Sequence, residues 1–191
     1  MEQIQKEVPE KKSVILLVFL SIITLGIYPA IWHIKRVSEF NNLGTQKKIG
    51  KIWGIIYLIA LITLLIFQVV IMPSTISSAT MGEENSSIVT IAYIIFIVTI
   101  IGWISAIIAS FKERAIINQV WESKRVTRRV SWFFTLIFNF LYVQYEINRT
   151  IENKENEKRV GPWIAFIFLY LIPLVLWIIS IVLGLFVIAS Y

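Results

Sequence analysis

The 191 residues contain no cysteine and no aspartate, and histidine occurs once, at His33. Without cysteine there is no disulfide, no thiolate metal site and no sulfur nucleophile. One histidine and no aspartate exclude a Ser-His-Asp hydrolase within one chain. A metal site would have to be built from His33 and glutamates, and no cluster of them stands at ligand spacing. Neither glycine-rich phosphate loop, G-x-G-x-x-G or G-x-x-x-x-G-K-S/T, occurs. Charge is scarce too: 16% of residues are charged against 57% hydrophobic, where a soluble domain holds about a quarter charged. These absences predict a protein that is not an enzyme and carries no cofactor, and they direct attention to the membrane.

What is abundant is long uncharged sequence. Five apolar segments stand out: 14–32, 52–72, 88–111, 131–145 and 162–190. A helix needs about 20 apolar residues to cross a ~30 Å hydrocarbon core. Segments 52–72, 88–111 and 162–190 meet that length. Segment 131–145 is too short and carries Asn139 and Gln144, while segment 14–32 is interrupted by Gly26 and Pro29. Residues 1–12 mix three lysines with three glutamates and no small-residue cleavage site follows, so the first segment is expected to be retained rather than removed as a signal.

The basic residues then choose a topology, because short cytoplasmic loops collect Lys and Arg. If all five segments crossed, the eighteen basic residues would split seven against eleven. If only 52–72, 88–111 and 162–190 cross, all eighteen fall on one side. The predicted fold is therefore all-α: a polytopic helical membrane protein with three transmembrane helices. Segments 14–32 and 131–145 become re-entrant or interfacial on the cytoplasmic side. Residues 1–12 form a polar cytoplasmic N-terminus and 13–191 one integral-membrane domain. The Pro73–Ser87 loop and the C-terminus are placed outside, in a prokaryotic plasma membrane. An alternative with four spans puts the N-terminus outside and fifteen basic residues inside.

A weak internal repeat favours three spans. Laying Ile27 on Phe140 sets Trp32 over Tyr145, Ile34 over Ile147, Arg36 over Arg149 and Glu39 over Glu152. The stretch Thr24-Leu25-Gly26-Ile27-Tyr28, followed by Trp32 and Lys35, also resembles the T-x-G-I-Y-x-x-x-W-x-x-K signature of a prokaryotic integral-membrane family, domain of unknown function 4234. The resemblance implies a multi-span membrane fold and no assigned activity. Pro29 departs from its pattern. Thr24, Gly26, Tyr28, Pro29 and Trp32 are accordingly the candidate signature and bend residues.

Other features have structural explanations. Tyr28 and the tryptophans at 32, 53, 103, 121, 132 and 163 lie near segment ends, as an interfacial aromatic belt does. Gly102, Ala106 and Ser110 form a small-residue stripe, and Ser180 with Gly184 a second, both suited to close helix packing. Pro173 predicts a kink in the last helix. No charged side chain interrupts the three long segments, which argues against a proton-coupled transporter. His33 is expected at headgroup level beside Trp32 and Lys35, and Glu146 in an interfacial ion pair with Arg149. Between Lys112 and Arg129, the apolar Ile116, Ile117, Val120 and Trp121 accompany six basic residues. Lys112, Arg114, Lys124, Arg125, Arg128 and Arg129 are thus candidate contacts to anionic lipid, on a helix lying along the leaflet or on an extension of the third helix. The net charge of +6 follows membrane flanks, so nucleic acid is not expected as a partner.

The sequence thus predicts a non-enzymatic membrane protein whose partners are the bilayer, anionic headgroups on the cytoplasmic face, and another membrane protein or a second copy of itself. The alternatives are an oligomeric pore for small solutes or ions and, less favoured, a lipid-modifying enzyme.

Overall fold

The computed structural model describes residues 9–71, 86–175 and 177. Helix α1 (Val14–Ile23) starts at Ser13, whose hydroxyl accepts from Leu16 N as an N-cap. It stops after ten residues because Leu25 and Gly26 both take positive φ, 50° and 88°. Glycine bears that conformation without steric cost, and Gly26 N closes the turn on Ser21 O at 2.8 Å. Thr24 bridges the break, donating to Leu20 O and accepting from Tyr28 N.

Helix α2 (Ile27–Asn41) begins at once. Pro29 sits in its first turn, where the missing N–H had no intrahelical partner to lose, so Pro29 starts a helix instead of bending one. After a loop closed by reciprocal hydrogen bonds between the Asn41 side chain and the Ile49 backbone, α3 (Ile52–Ile66) runs into a π-helical stretch, Phe67–Ile71. Helix α4 (Ser86–Ser123) is continuous over 38 residues, about 57 Å at 1.5 Å rise. Helix α5 (Trp132–Phe138), capped by the Ser131 hydroxyl, breaks at Asn139, with φ 49° and ψ −128°, and α6 (Phe140–Ile151) follows.

No strand occurs among the described residues. The chain falls into two compact units, Met1–Asn156 and Glu157–Tyr191. In the second, α7 (Val160–Phe166) continues into a π-helical stretch, Ile167–Leu171, two residues before Pro173. A widened turn there fits a ring that cannot take part in the ordinary backbone ladder.

In the first unit small residues bring the helices together. A methyl group on Gly54 would fall 2.7 Å from Ile34 Cγ1, so α2 and α3 touch closely there. One on Gly102 would collide with Ala60, and Ser105 Oγ donates to Trp53 O at 2.6 Å, joining α3 to α4. The outer surface is apolar: Ile15 is 82% exposed, Val69 74% and Trp103 68%. Among the described residues, two helices are long and apolar enough to cross a membrane, Ile52–Val70 and Thr90–Ser123. They cover the predicted spans 52–72 and 88–111 apart from residues 71–72 and 88–89. Segments 14–32 and 131–145 each split at a positive-φ residue, so neither forms one continuous spanning helix. Of segment 162–190, most residues beyond 175 lie outside the described residues.

Candidate functional site

The interior of the first unit holds a set of charged and polar side chains among its apolar ones. On α2, helical spacing puts Pro29, His33, Arg36 and Phe40 along one inward face, with Trp32 and Val37 beside it. His33 is 2% exposed, and its Nδ1 lies 2.8 Å from Oε1 of Glu113 on α4, which is wholly buried. His33 is therefore a core residue, enclosed by protein and paired with Glu113. Arg36 pairs with Glu39 at 2.9 Å, donates to Glu10 O at 2.7 Å and lies 5.4 Å from the Trp32 ring centroid. Burial pulls its guanidinium below the ordinary arginine pKa, against the opposing pull of Glu39, Glu10 and Glu113. Trp32 Nε1 donates to Gln144 Oε1.

A cavity of about 140 Å³ opens beside this centre. Pro29, His33, Tyr57, Trp103, Ala106, Ile107, Leu136, Ile137, Asn139 and Phe140 line it, so five helices, α2 to α6, and the Asn139 break each contribute. His33 Nε2 is buried and has no hydrogen-bond partner.

Helix α6 carries a second ionic set. Glu146 and Arg149 are buried and 3.4 Å apart, and Arg149 also donates to Tyr145 Oη and Lys154 O. The expected pairing is present and lies in the protein interior. Gln144 and Asn148 on the same helix hold the chain before α1: Asn148 Nδ2 donates to Lys12 O while its Oδ1 accepts from Lys12 N. Charged groups absent from the long apolar runs thus reach the core from their flanks.

The remaining candidates sort by position. Thr24, Gly26 and Tyr28 form the first break, and Pro29 with Trp32 lies on the buried face just after it. Gly102 packs on Ala60, Ala106 lines the cavity, and Ser110 Oγ donates to Asn139 Oδ1. Ser180 and Gly184 lie outside the described residues. Of the basic candidates, Lys112 is exposed over the Trp53 ring, Arg114 bonds Val130 O, Lys124 pairs with Glu155 and Arg129 with Glu122, while Arg125 and Arg128 are exposed. The apolar side of this stretch does not lie on a leaflet. Ile116, Ile117 and Trp121 are buried, Trp121 Nε1 donates to Thr150, and residues through Ser123 extend α4. Trp32 and Trp121 are core residues, whereas Trp103, Trp132 and Trp163 are exposed as a belt requires.

Glu113 was missed because it lies two residues past the apolar run. The signal was present as a stripe: Ala106, Ala109, Ser110, Glu113, Ile116, Ile117 and Trp121 recur at helical spacing and all are buried. No three His or Glu side chains gather to hold a metal among the described residues.

A family model described as a domain of unknown function, DUF4234, matches residues 12–119, more than half of the chain. No curated protein and no solved structure matches.

Proposed function

The chain belongs to the DUF4234 family, and on that premise, which carries no activity, we propose that it is a non-enzymatic protein of the prokaryotic plasma membrane whose basic side engages anionic lipid headgroups. The observation that carries this reading is the inverted distribution of side chains. Ile15, Ile59, Val69, Phe96 and Trp103 face outward while His33, Arg36, Glu113, Glu146 and Arg149 are buried. Exposed apolar surface of this extent is costly in water and favourable in hydrocarbon. Lys47, Lys51, Lys112 and Arg125 are exposed in the loops or helix ends that the charge distribution assigns to the cytoplasm. Each basic residue near an anionic leaflet is worth about 1 kcal/mol.

Three spans with the N-terminus inside are the preferred topology, with the two broken segments entering from the cytoplasmic face as halves of an internal repeat. The break at Gly26, where a bend was expected, and the corresponding break at Asn139 support this. Non-helical backbone at membrane depth must be packed in protein, and Leu61 of α3 lies within van der Waals distance of where a Gly26 side chain would be. A pore between subunits is less favoured, because the Gly102 face it would use is already packed on Ala60.

Two measurements test the reading. In bilayers of mixed phosphatidylglycerol and phosphatidylcholine, lipid retained through purification should be enriched in phosphatidylglycerol, and reversing Lys47, Lys51, Lys112 and Arg125 to glutamate should remove the enrichment. Equal retention of both lipids overturns it. In intact cells a membrane-impermeant maleimide should label Ser78→Cys and spare Asn42→Cys and Gln3→Cys. Labelling of Gln3→Cys replaces three spans with four.

A further inference from the structure

The cavity beside His33 has no part in lipid binding at the basic surface, and we propose that it is a binding site for a small apolar molecule bearing a hydroxyl group, which donates a hydrogen bond to His33 Nε2. Its volume, about 140 Å³, is that of a pocket that takes a single aromatic ring. Pro29, Ala106, Ile107, Ile137 and Phe140 give it apolar walls. Trp103 and Leu136 line it and are also exposed, so its mouth opens on the apolar outer surface and admits an apolar body from that side.

His33 supplies the polar end. Its Nδ1 lies 2.8 Å from Glu113 Oε1, which fixes the ring, and in the proposed tautomer Nδ1–H donates to the carboxylate. Nε2 is then a lone pair, buried and unpartnered, and a buried acceptor without a donor costs free energy that a donor recovers. A hydroxyl suits the site better than an ammonium. No carboxylate lines the cavity, Glu113 is turned to Nδ1, and Arg36 has Glu39, so a cation would be desolvated there without a counter-ion.

His33 is the only histidine, which makes ¹⁵N-histidine labelling a probe of this one site. In detergent-solubilised full-length protein, phenol should shift the Nε2 resonance saturably and toluene should not. Toluene should compete with phenol only at roughly two- to tenfold higher concentration, the worth of one neutral hydrogen bond. Ala106→Leu fills the cavity while leaving His33 and Glu113 unsubstituted, and should abolish the phenol shift while leaving the Nδ1 signal in place. The proposal is overturned by any of four results: no saturable shift with phenol, an equal shift with toluene, a shift that survives Ala106→Leu, or a resonance pattern placing the proton on Nε2. The wild-type comparison of phenol with toluene decides the matter even if the variant does not fold.

Discussion

Helices α2 and α6 each begin directly after a positive-φ residue, Gly26 in one case and Asn139 in the other. Each then places an aromatic ring four residues before a buried arginine, with the guanidinium 5.4 Å from Trp32 in α2 and 5.5 Å from Tyr145 in α6. Each arginine has a glutamate partner three residues away and donates to a backbone carbonyl. The difference lies one turn earlier, where α2 has His33 and α6 has Glu146. In α6 that position supplies the arginine's own counter-charge. In α2 the counter-charge moves to Glu39, and His33 is released to meet Glu113 on another helix and to line a cavity. One local framework therefore serves two ends: a closed ion pair in α6, and in α2 a polar centre with an unused nitrogen.

Removing the arginines should break the likeness most strongly. Arg149→Met takes the ion-pairing arginine from Glu146, whose side chain is wholly buried, at a cost of about 3–5 kcal/mol. Arg36→Met leaves Glu39, whose side chain is 24% exposed and open to water, so the loss should be nearer ~2 kcal/mol. Thermal unfolding in detergent, followed by tryptophan fluorescence, compares the two, and equal losses would mean that exposure of the partner is irrelevant. The breaks come next. Gly26→Ala forces a side chain into a φ of 88° and should cost about 1–2 kcal/mol. Asn139→Gly relaxes a strained residue but removes the acceptor for Ser110, so the net change should stay within about 0.5 kcal/mol.

The smallest effect concerns Glu152, the residue laid over Glu39 by the register that aligns the two helices. Hydrogen bonds from Lys11 and Lys154 hold its carboxyl at about 2, below the ordinary carboxylate range. A depressed value means that the ionised form stabilises the fold above the unfolded pKa, and that this contribution is lost as pH falls through about 2. Glu152→Gln should lower neutral-pH stability slightly, because the ion pairs it removes are exposed and screened by solvent, and flatten the acid limb of the stability curve by the same amount. A large loss at pH 7 would show Glu152 acting as Glu39 does.

Much of this was legible in the chain. Gly26 announced the first break, the long uncharged runs announced α3 and α4, and the alignment of Ile27 with Phe140 marked the first residue of both post-break helices. What stayed hidden depended on neighbours distant in sequence. His33 stands between Trp32 and Lys35 and reads locally as interfacial, yet its environment is set by Glu113, 80 residues later. Trp121 reads as a belt residue among basic neighbours, but Thr150 satisfies its indole N–H from α6, so it can be buried. Hydrophobic patterning locates a helix and its inward face. It does not say which buried polar group another helix will satisfy.

The paired hydrogen bonds between Lys12 and Asn148 also bear on how the protein is made. The two residues are 136 apart, so the chain just ahead of α1 has no Asn148 to dock on until that much more has been synthesised. At 5–20 residues per second this is roughly 7–27 s. The contact that fixes the start of α1 can therefore form only after α2, α3 and α4 have been made.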